Sequence, residues 1–95
     1  MLSKNDLDKV ITTAVKEVIK DNDINFKDYF IGPNSSFESI DIVQIISEIE
    51  DYLESSNIQG YDLFDSIFQF DELTFSELSD LIQKDLINMN NDNSI

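Results

Sequence analysis

The chain has 95 residues and a mass of 10.9 kDa, enough for one small domain with a single core, and 41% of its residues are hydrophobic. Six lysines, no arginine and no histidine stand against twenty acids, giving a net charge of −14 at neutral pH and a pI near 4.1. Phosphate backbones and anionic lipid carry the same sign, so no nucleic-acid partner and no docking on acidic membranes are expected. Without Cys or His there is no disulfide, no thiolate or imidazole metal ligand, no Cys nucleophile and no His base. No apolar run approaches the roughly 20 residues of a membrane span, and the first residues lack a signal-peptide core. No membrane insertion and a cytoplasmic location are the expectation.

The charge is segregated. Residues 1–27 hold five acids and five lysines and sum to zero, whereas everything after them sets fifteen acids against Lys84 alone. A need for solubility does not predict that split; a docking surface for a basic partner does.

The elements follow in chain order. Leu7, Val10, Ile11, Ala14 and Val18 mark one stripe of a first helix. Ser3 is its predicted N-cap, Asp6 stands three residues on, and Leu2 and Leu7 are placed to staple. The pattern fades at Asp21-Asn22-Asp23, and Gly32-Pro33-Asn34-Ser35-Ser36 is a clear break. A second helix is predicted from about Ser39 to Glu54, capped by Glu38 or Ser36, with Phe37 placed to staple onto Ile42. Ile42, Ile45, Ile46, Ile49, Tyr52 and Leu53 fall on one side of it. Gln44, Ser47, Glu48, Asp51 and Glu54 fall on the other, with Ile40 in their midst. Residues 55–73 are less regular, but Leu63, Phe64, Ile67, Phe68 and Phe70 are too apolar for a loose linker and predict a short helix or turn covering the core. Thr74-Phe75-Ser76-Glu77 reads as a capping box, stapled by Leu73 and Leu78, for a last helix that turns Leu78, Leu81, Ile82 and Leu86 inward. No repeat is present and strand alternation is weak. The reading is an all-α fold, a small three- to four-helix bundle with one long first loop, over residues 1–87, followed by a polar, frayed tail over residues 88–95.

Ser39 is the candidate for chemistry. It opens the second helix just after the break, where a hydroxyl is exposed and the helix N-terminus favours an attached phosphate. With no His and no Lys placed as a base it is not a self-activated nucleophile, so any reaction at Ser39 needs another protein to activate it. The plain alternative is a serine that merely begins a helix.

The run Gly32-Pro33-Asn34-Ser35-Ser36-Phe37-Glu38-Ser39-Ile40-Asp41-Ile42-Val43, continuing through Gln44-Ile45-Ile46-Ser47-Glu48-Ile49-Glu50-Asp51-Tyr52-Leu53, resembles the acyl carrier protein family. Its members show Asp-Ser-Leu at the start of the second helix, and here the triplet is Glu38-Ser39-Ile40. The run from Phe30 to Ser39 looks like a divergent subgroup with a Gly–Ser loop before the modified serine. Leu73-Thr74-Phe75-Ser76-Glu77-Leu78-Ser79-Asp80-Leu81-Ile82 resembles the family's last helix, and the likeness covers about residues 5–85. Glu38 for Asp, Ile40 for Leu, Gln44 where an acid is common, Ser47 where an apolar contact is common and a longer 55–73 segment are departures. They point to a specialised biosynthetic pathway rather than to fatty-acid synthesis.

The resemblance implies a non-catalytic carrier, itself the substrate of partner enzymes. A phosphopantetheinyl transferase would attach 4′-phosphopantetheine, from coenzyme A, to the Ser39 oxygen, and the new thiol would hold an acyl or aminoacyl group as a thioester. It further implies a loading ligase and acyltransferase or synthase enzymes with basic docking patches, meeting a monomer at Ile40, Asp41, Gln44, Ser47, Glu48 and Asp51. An ordinary solvated helix face is the plain reading of those six. Two rivals need no modified serine. Asp21-Asn22-Asp23-Ile24-Asn25 begins like a calcium loop, but position 6 is Phe26 rather than Gly and position 12 is Gly32 rather than Glu, so no metal site is expected. An acidic helical interaction module or inhibitor explains the charge, but not why the break, the serine and the exposed Ile stand together.

Overall fold

Helix α1 (Lys4–Val18) starts where Ser3 and Asp6 cap each other. The Asp6 N–H donates to Ser3 Oγ at 3.1 Å, and the Ser3 N–H returns a bond to Asp6 Oδ2 at 3.1 Å. The Ser3 N–H, then its hydroxyl, holds the Asp6 carboxyl below its ordinary value. The computed structural model describes residues 2–20 and 24–92, so the Asp21–Asp23 stretch read above as the end of the pattern, and as the head of a calcium loop, lies outside the described residues. Leu7, Ile11, Ala14 and Val15 are fully buried, with Val10 and Val18 half-buried beside them. The stripe is wide because α1 packs against two helices, α2 (Ser39–Ser55) and α4 (Phe75–Asp92). Lys4 and Asp80 form an ion pair between α1 and α4, exposed on both sides.

The long connection after α1 is held by aromatic rings. It carries a three-residue strand, β1 (Tyr29–Ile31), which pairs antiparallel with β2 (Leu73–Thr74), setting Tyr29 opposite Thr74 and Ile31 opposite Leu73. The architecture is consistent with the expected small helical bundle, with a strand pairing that the all-α reading did not include. The chain is mostly helical, with a short two-stranded sheet that no alternation announces. Two and three residues are too few for a period-2 pattern, and the pairing is imposed by Phe30, which is fully buried. Its ring lies 5.5 Å from Phe75 and 6.2 Å from Phe37, and Phe37 meets Phe75 edge-on at 5.7 Å. The Phe75 and Ser76 N–H groups at the head of α4 donate to the Asp28 and Phe26 carbonyls at 3.0 Å each, so the connection also caps the last helix.

Helix α2 buries Ile45, Ile46, Ile49 and Leu53, while Ile42 is half-buried and Tyr52 stays exposed. It ends in a Schellman turn. Asn57 takes a positive φ of 67°, its N–H donates to Glu54 O at 3.0 Å, and the Ile58 N–H donates to Leu53 O at 2.9 Å. The short α3 (Leu63–Ile67) packs on α2; its Asp62 cap accepts the Asp65 N–H at 3.0 Å, and Glu50 of α2 accepts the Leu63 N–H at 3.0 Å. Helix α4 begins with the expected capping box, Thr74 Oγ1 accepting the Glu77 N–H at 3.1 Å and Glu77 Oε1 accepting the Thr74 N–H at 2.9 Å. It turns Leu78, Ile82 and Leu86 inward, with Leu81 half-buried. Helix α4 continues through Asp92, into the stretch read as a tail, whose residues 93–95 lie outside the described residues. Once a helix is nucleated each further residue adds a bond, and Asn disfavours it by less than about 1 kcal/mol.

Gly32 closes β1 with φ +114°, and a Cβ there would stand 2.6 Å from the Glu72 Cβ and 3.1 Å from the Glu72 Cα. Gly32→Ala is therefore expected to lower stability by about 1–3 kcal/mol from backbone conformation alone, with the Glu72 overlap adding to it. A urea midpoint unchanged from wild type would show that the β1–β2 approach tolerates a side chain.

Candidate functional site

The loop that delivers Ser39 is built from the break itself. The Ser35 N–H donates to Gly32 O at 3.1 Å, Ser35 Oγ donates to Phe30 O at 2.8 Å, and the same Oγ accepts the Phe37 N–H at 3.2 Å. Phe37 is then sunk against Phe30 and Phe75, which leaves the next residues at the surface. Glu38 is the N-cap of α2 and Ser39 its first residue. The helical ladder opens with the Ile42 N–H donating to Glu38 O at 3.0 Å, so the N–H groups of Ser39 and Ile40 precede it. Ser39 is exposed, and among the described residues its hydroxyl has no hydrogen-bond partner.

Ser39 also stands on the rim of an apolar groove of about 310 Å³ between α2 and α3. The lining is Ile31 from β1, Ile42, Val43 and Ile46 from α2, and Phe64, Ile67, Phe68 and Phe70 from α3 and the residues after it. Among those lining residues Ser39 alone is polar. The sequence reading placed Phe68 and Phe70 over the core; instead they are 72% and 42% exposed. The reason is the length of α3, which ends at Ile67 and releases the next residues, although Phe68 still meets Phe64 edge-on at 4.6 Å. Val43, 46% exposed, and Phe64 were missed as site residues as well. Part of the signal was available, since Ser39, Val43 and Ile46 stand at i, i+4 and i+7 and share one column of α2.

The six residues read as a partner surface divide in two. Ile40, Gln44, Ser47 and Asp51 are exposed at helical spacing and make one continuous stripe, with Ile40 61% exposed at its head. Asp41 and Glu48 lie half-buried on its flank, and Asp41 Oδ2 turns back to accept the Glu38 N–H at 3.4 Å, so its carboxylate serves the helix cap. The Ser39 column and this stripe are adjacent around the helix. A larger hollow of about 450 Å³, lined by Glu50, Leu53, Glu54, Ile58, Gly60, Tyr61 and Asp62, lies at the other end of α2. Among the described residues no group of carboxylates is gathered closely enough to hold a metal ion, and no helix is long and apolar enough to cross a membrane. Compared with protein-family models, curated proteins and solved structures, the chain gives no match in any of the three.

The far wall of the groove is fixed by one carboxylate. Asp85 Oδ2, on α4, accepts the Tyr61 hydroxyl at 2.7 Å and the Ser66 hydroxyl at 2.7 Å, tying both ends of α3 to the bundle. Burial, then the bond to Asp85 and its charge, push the Tyr61 phenol far above its ordinary value. An unfolded tyrosine ionises near pH 10. With the folded value raised, the stabilisation from Tyr61 is whole below about pH 10 and drains away as pH climbs past it. Tyr61→Phe should lose about 1–2 kcal/mol at pH 7 and show a shallower decline from pH 9 to 11. Urea midpoints of the two proteins that fall in parallel over that range would remove Tyr61 from this role.

Proposed function

We propose that this chain is a carrier protein of the acyl-carrier type, which holds 4′-phosphopantetheine on Ser39 and presents an acyl or aminoacyl thioester to partner enzymes of a specialised biosynthetic pathway. The observation that carries the reading is the setting of Ser39, an exposed and unbonded hydroxyl at the first residue of a 17-residue helix, on the edge of an apolar groove and beside an exposed stripe. The order of the helices, the long first connection and the acid-rich second helix fit the same reading. When bound, the prosthetic group supplies a thiol, which the chain lacks, having no Cys.

This chain's own part is presentation. Ser39 offers the oxygen that takes the phosphate. No His is present to remove its proton, so the base belongs to the transferase that draws on coenzyme A. The N–H groups of Ser39 and Ile40, free of the helical ladder, and the positive end of the α2 dipole favour a phosphate at that oxygen. A tether raises the effective concentration of its cargo at each enzyme visited. The stripe Ile40, Gln44, Ser47 and Asp51, with Asp41 and Glu48 on its flank, is the surface for loading ligase, acyltransferase or synthase. The acidic field steers partners with basic patches toward it. The competing reading, an acidic interaction module with no prosthetic group, shares the charge and the stripe but gives Ser39 no task.

Intact mass after incubation with coenzyme A and a broad-specificity phosphopantetheinyl transferase should rise by one 4′-phosphopantetheine. Ser39→Ala should stay unmodified with unchanged helicity by circular dichroism. Wild-type protein left unmodified by several transferases would hand the case to the interaction module. Reversing Glu48 and Asp51 together to Lys should slow that modification by roughly tenfold at low salt, with the gap closing as salt shortens the Debye length. Equal slowing at every ionic strength would mean that the stripe does not act through its charge.

A further inference from the structure

Ser35 is half-buried in the loop ahead of α2, and its one hydroxyl is used twice. The Oγ donates to the Phe30 carbonyl of β1 at 2.8 Å and accepts the Phe37 N–H at 3.2 Å, while the Ser35 N–H closes the turn onto Gly32 O at 3.1 Å. One residue is thereby tied to the strand, to the turn and to the entry of α2. A hydroxyl can do this because a single oxygen both donates and accepts, and Ser is a residue whose side chain readily stands in for a backbone partner. Phe37 is consequently held from two sides, by its N–H on Ser35 and by its ring on Phe30 and Phe75. Ser36 between them is exposed, and its hydroxyl has no partner among the described residues.

The ring contacts fix where the Phe37 side chain lies. The direction in which its backbone leaves depends on the N–H as well. Ser39 follows two residues later, a span of roughly 7 Å, so a tilt of about 10° at Phe37 displaces Ser39 by about 1 Å. Misplacement on that scale is enough to slow attack by a reacting oxygen. We propose that Ser35 is a positioning residue for Ser39: its hydroxyl, acting through the Phe37 N–H, fixes the place at which the Ser39 oxygen is offered to an activating enzyme. Ser35 touches no reacting atom and belongs to neither the groove lining nor the exposed stripe of α2. The purpose assigned to it rests on the carrier reading, whereas the loop geometry stands without it.

The test uses the full unmodified chain, and its first measurement needs no variant. In the wild-type protein the Phe37 amide should exchange with solvent at least about tenfold more slowly than the Ser36 amide. In Ser35→Ala, with helicity by circular dichroism unchanged, that protection should be lost and NMR order should fall from Ser36 to Ile40 while Ile45–Leu53 keeps its own. Attachment of 4′-phosphopantetheine from coenzyme A by a transferase should then show kcat lowered by about tenfold or more, with KM moved by less than about twofold, because the exposed stripe of α2 is untouched. Ser35→Thr retains the hydroxyl and should restore both the order and kcat, and Ser36→Ala should match wild type. Equal exchange at Phe37 and Ser36, wild-type order in Ser35→Ala, or a raised KM with kcat intact would overturn the proposal. So would a folded Ser35→Thr that behaves as Ser35→Ala does. Wild-type exchange and the Thr variant decide the matter even where Ser35→Ala fails to fold. Should no transferase modify the wild-type chain, the carrier reading falls, and the exchange and order measurements still settle whether Ser35 holds Ser39 in place.

Discussion

The burial of Phe30 between Phe37 and Phe75 is the contact on which the rest of the architecture turns. The first connection is long, and a chain that long between two helices loses much entropy on being ordered. Short sheet pairing does not offset this, since β1 and β2 hold three and two residues. The rings do more. Each aromatic pair contributes about 0.5–1.5 kcal/mol beyond its buried area, and truncating a buried Phe typically costs about 3–5 kcal/mol. Against a net stability of about 5–15 kcal/mol for a domain, that is a large share. The cluster therefore sets where the loop stops, and so where Ser39 emerges.

The charge distribution meets folding only halfway. Asp6, Asp41, Asp65 and Glu77 lie in the first turns of their helices, where the macrodipole favours them. At the other ends the rule lapses. Neither α2, α3 nor α4 carries a basic residue in its last turn, although α1 has Lys16 there. Glu48, Asp51, Glu54, Asp71 and Glu72 cap no helix, and like charges close together destabilise the compact state. Their concentration around α2 and α3 is thus unexplained by folding and is the part of the composition that points outward.

Helices were legible in the sequence because each writes its own start. Ser3 with Asp6 and Thr74 with Glu77 cap as their spacing says, and the stripes behind them are long enough for a period to emerge. Ile40 was legible as exposed for the same reason. Tertiary choices were not. Phe26 and Phe30 carry no periodic mark, yet both join the ring cluster, because the site they fill is made by the start of a helix more than forty residues on. Phe64 and Phe68 sit at helical spacing and read as one buried face, but α3 stops at Ile67 and turns the second ring out. The groove is a product of that early stop, so no local pattern announces it.

Two columns of α2 consequently meet at its first turn. Ser39, Val43 and Ile46 run along the groove, while Ile40, Gln44, Ser47 and Asp51 run along the open stripe, and consecutive residues head them. A group attached at the Ser39 oxygen would sit at the border of an apolar recess and a polar face. Lying in the recess it would shed water from its apolar part, which is worth about 25 cal/mol for each Å² covered. Extended over the stripe it would be within reach of whatever binds there. The groove holds about 310 Å³. An apolar side chain of a bound protein and the apolar part of such a group would compete for that volume.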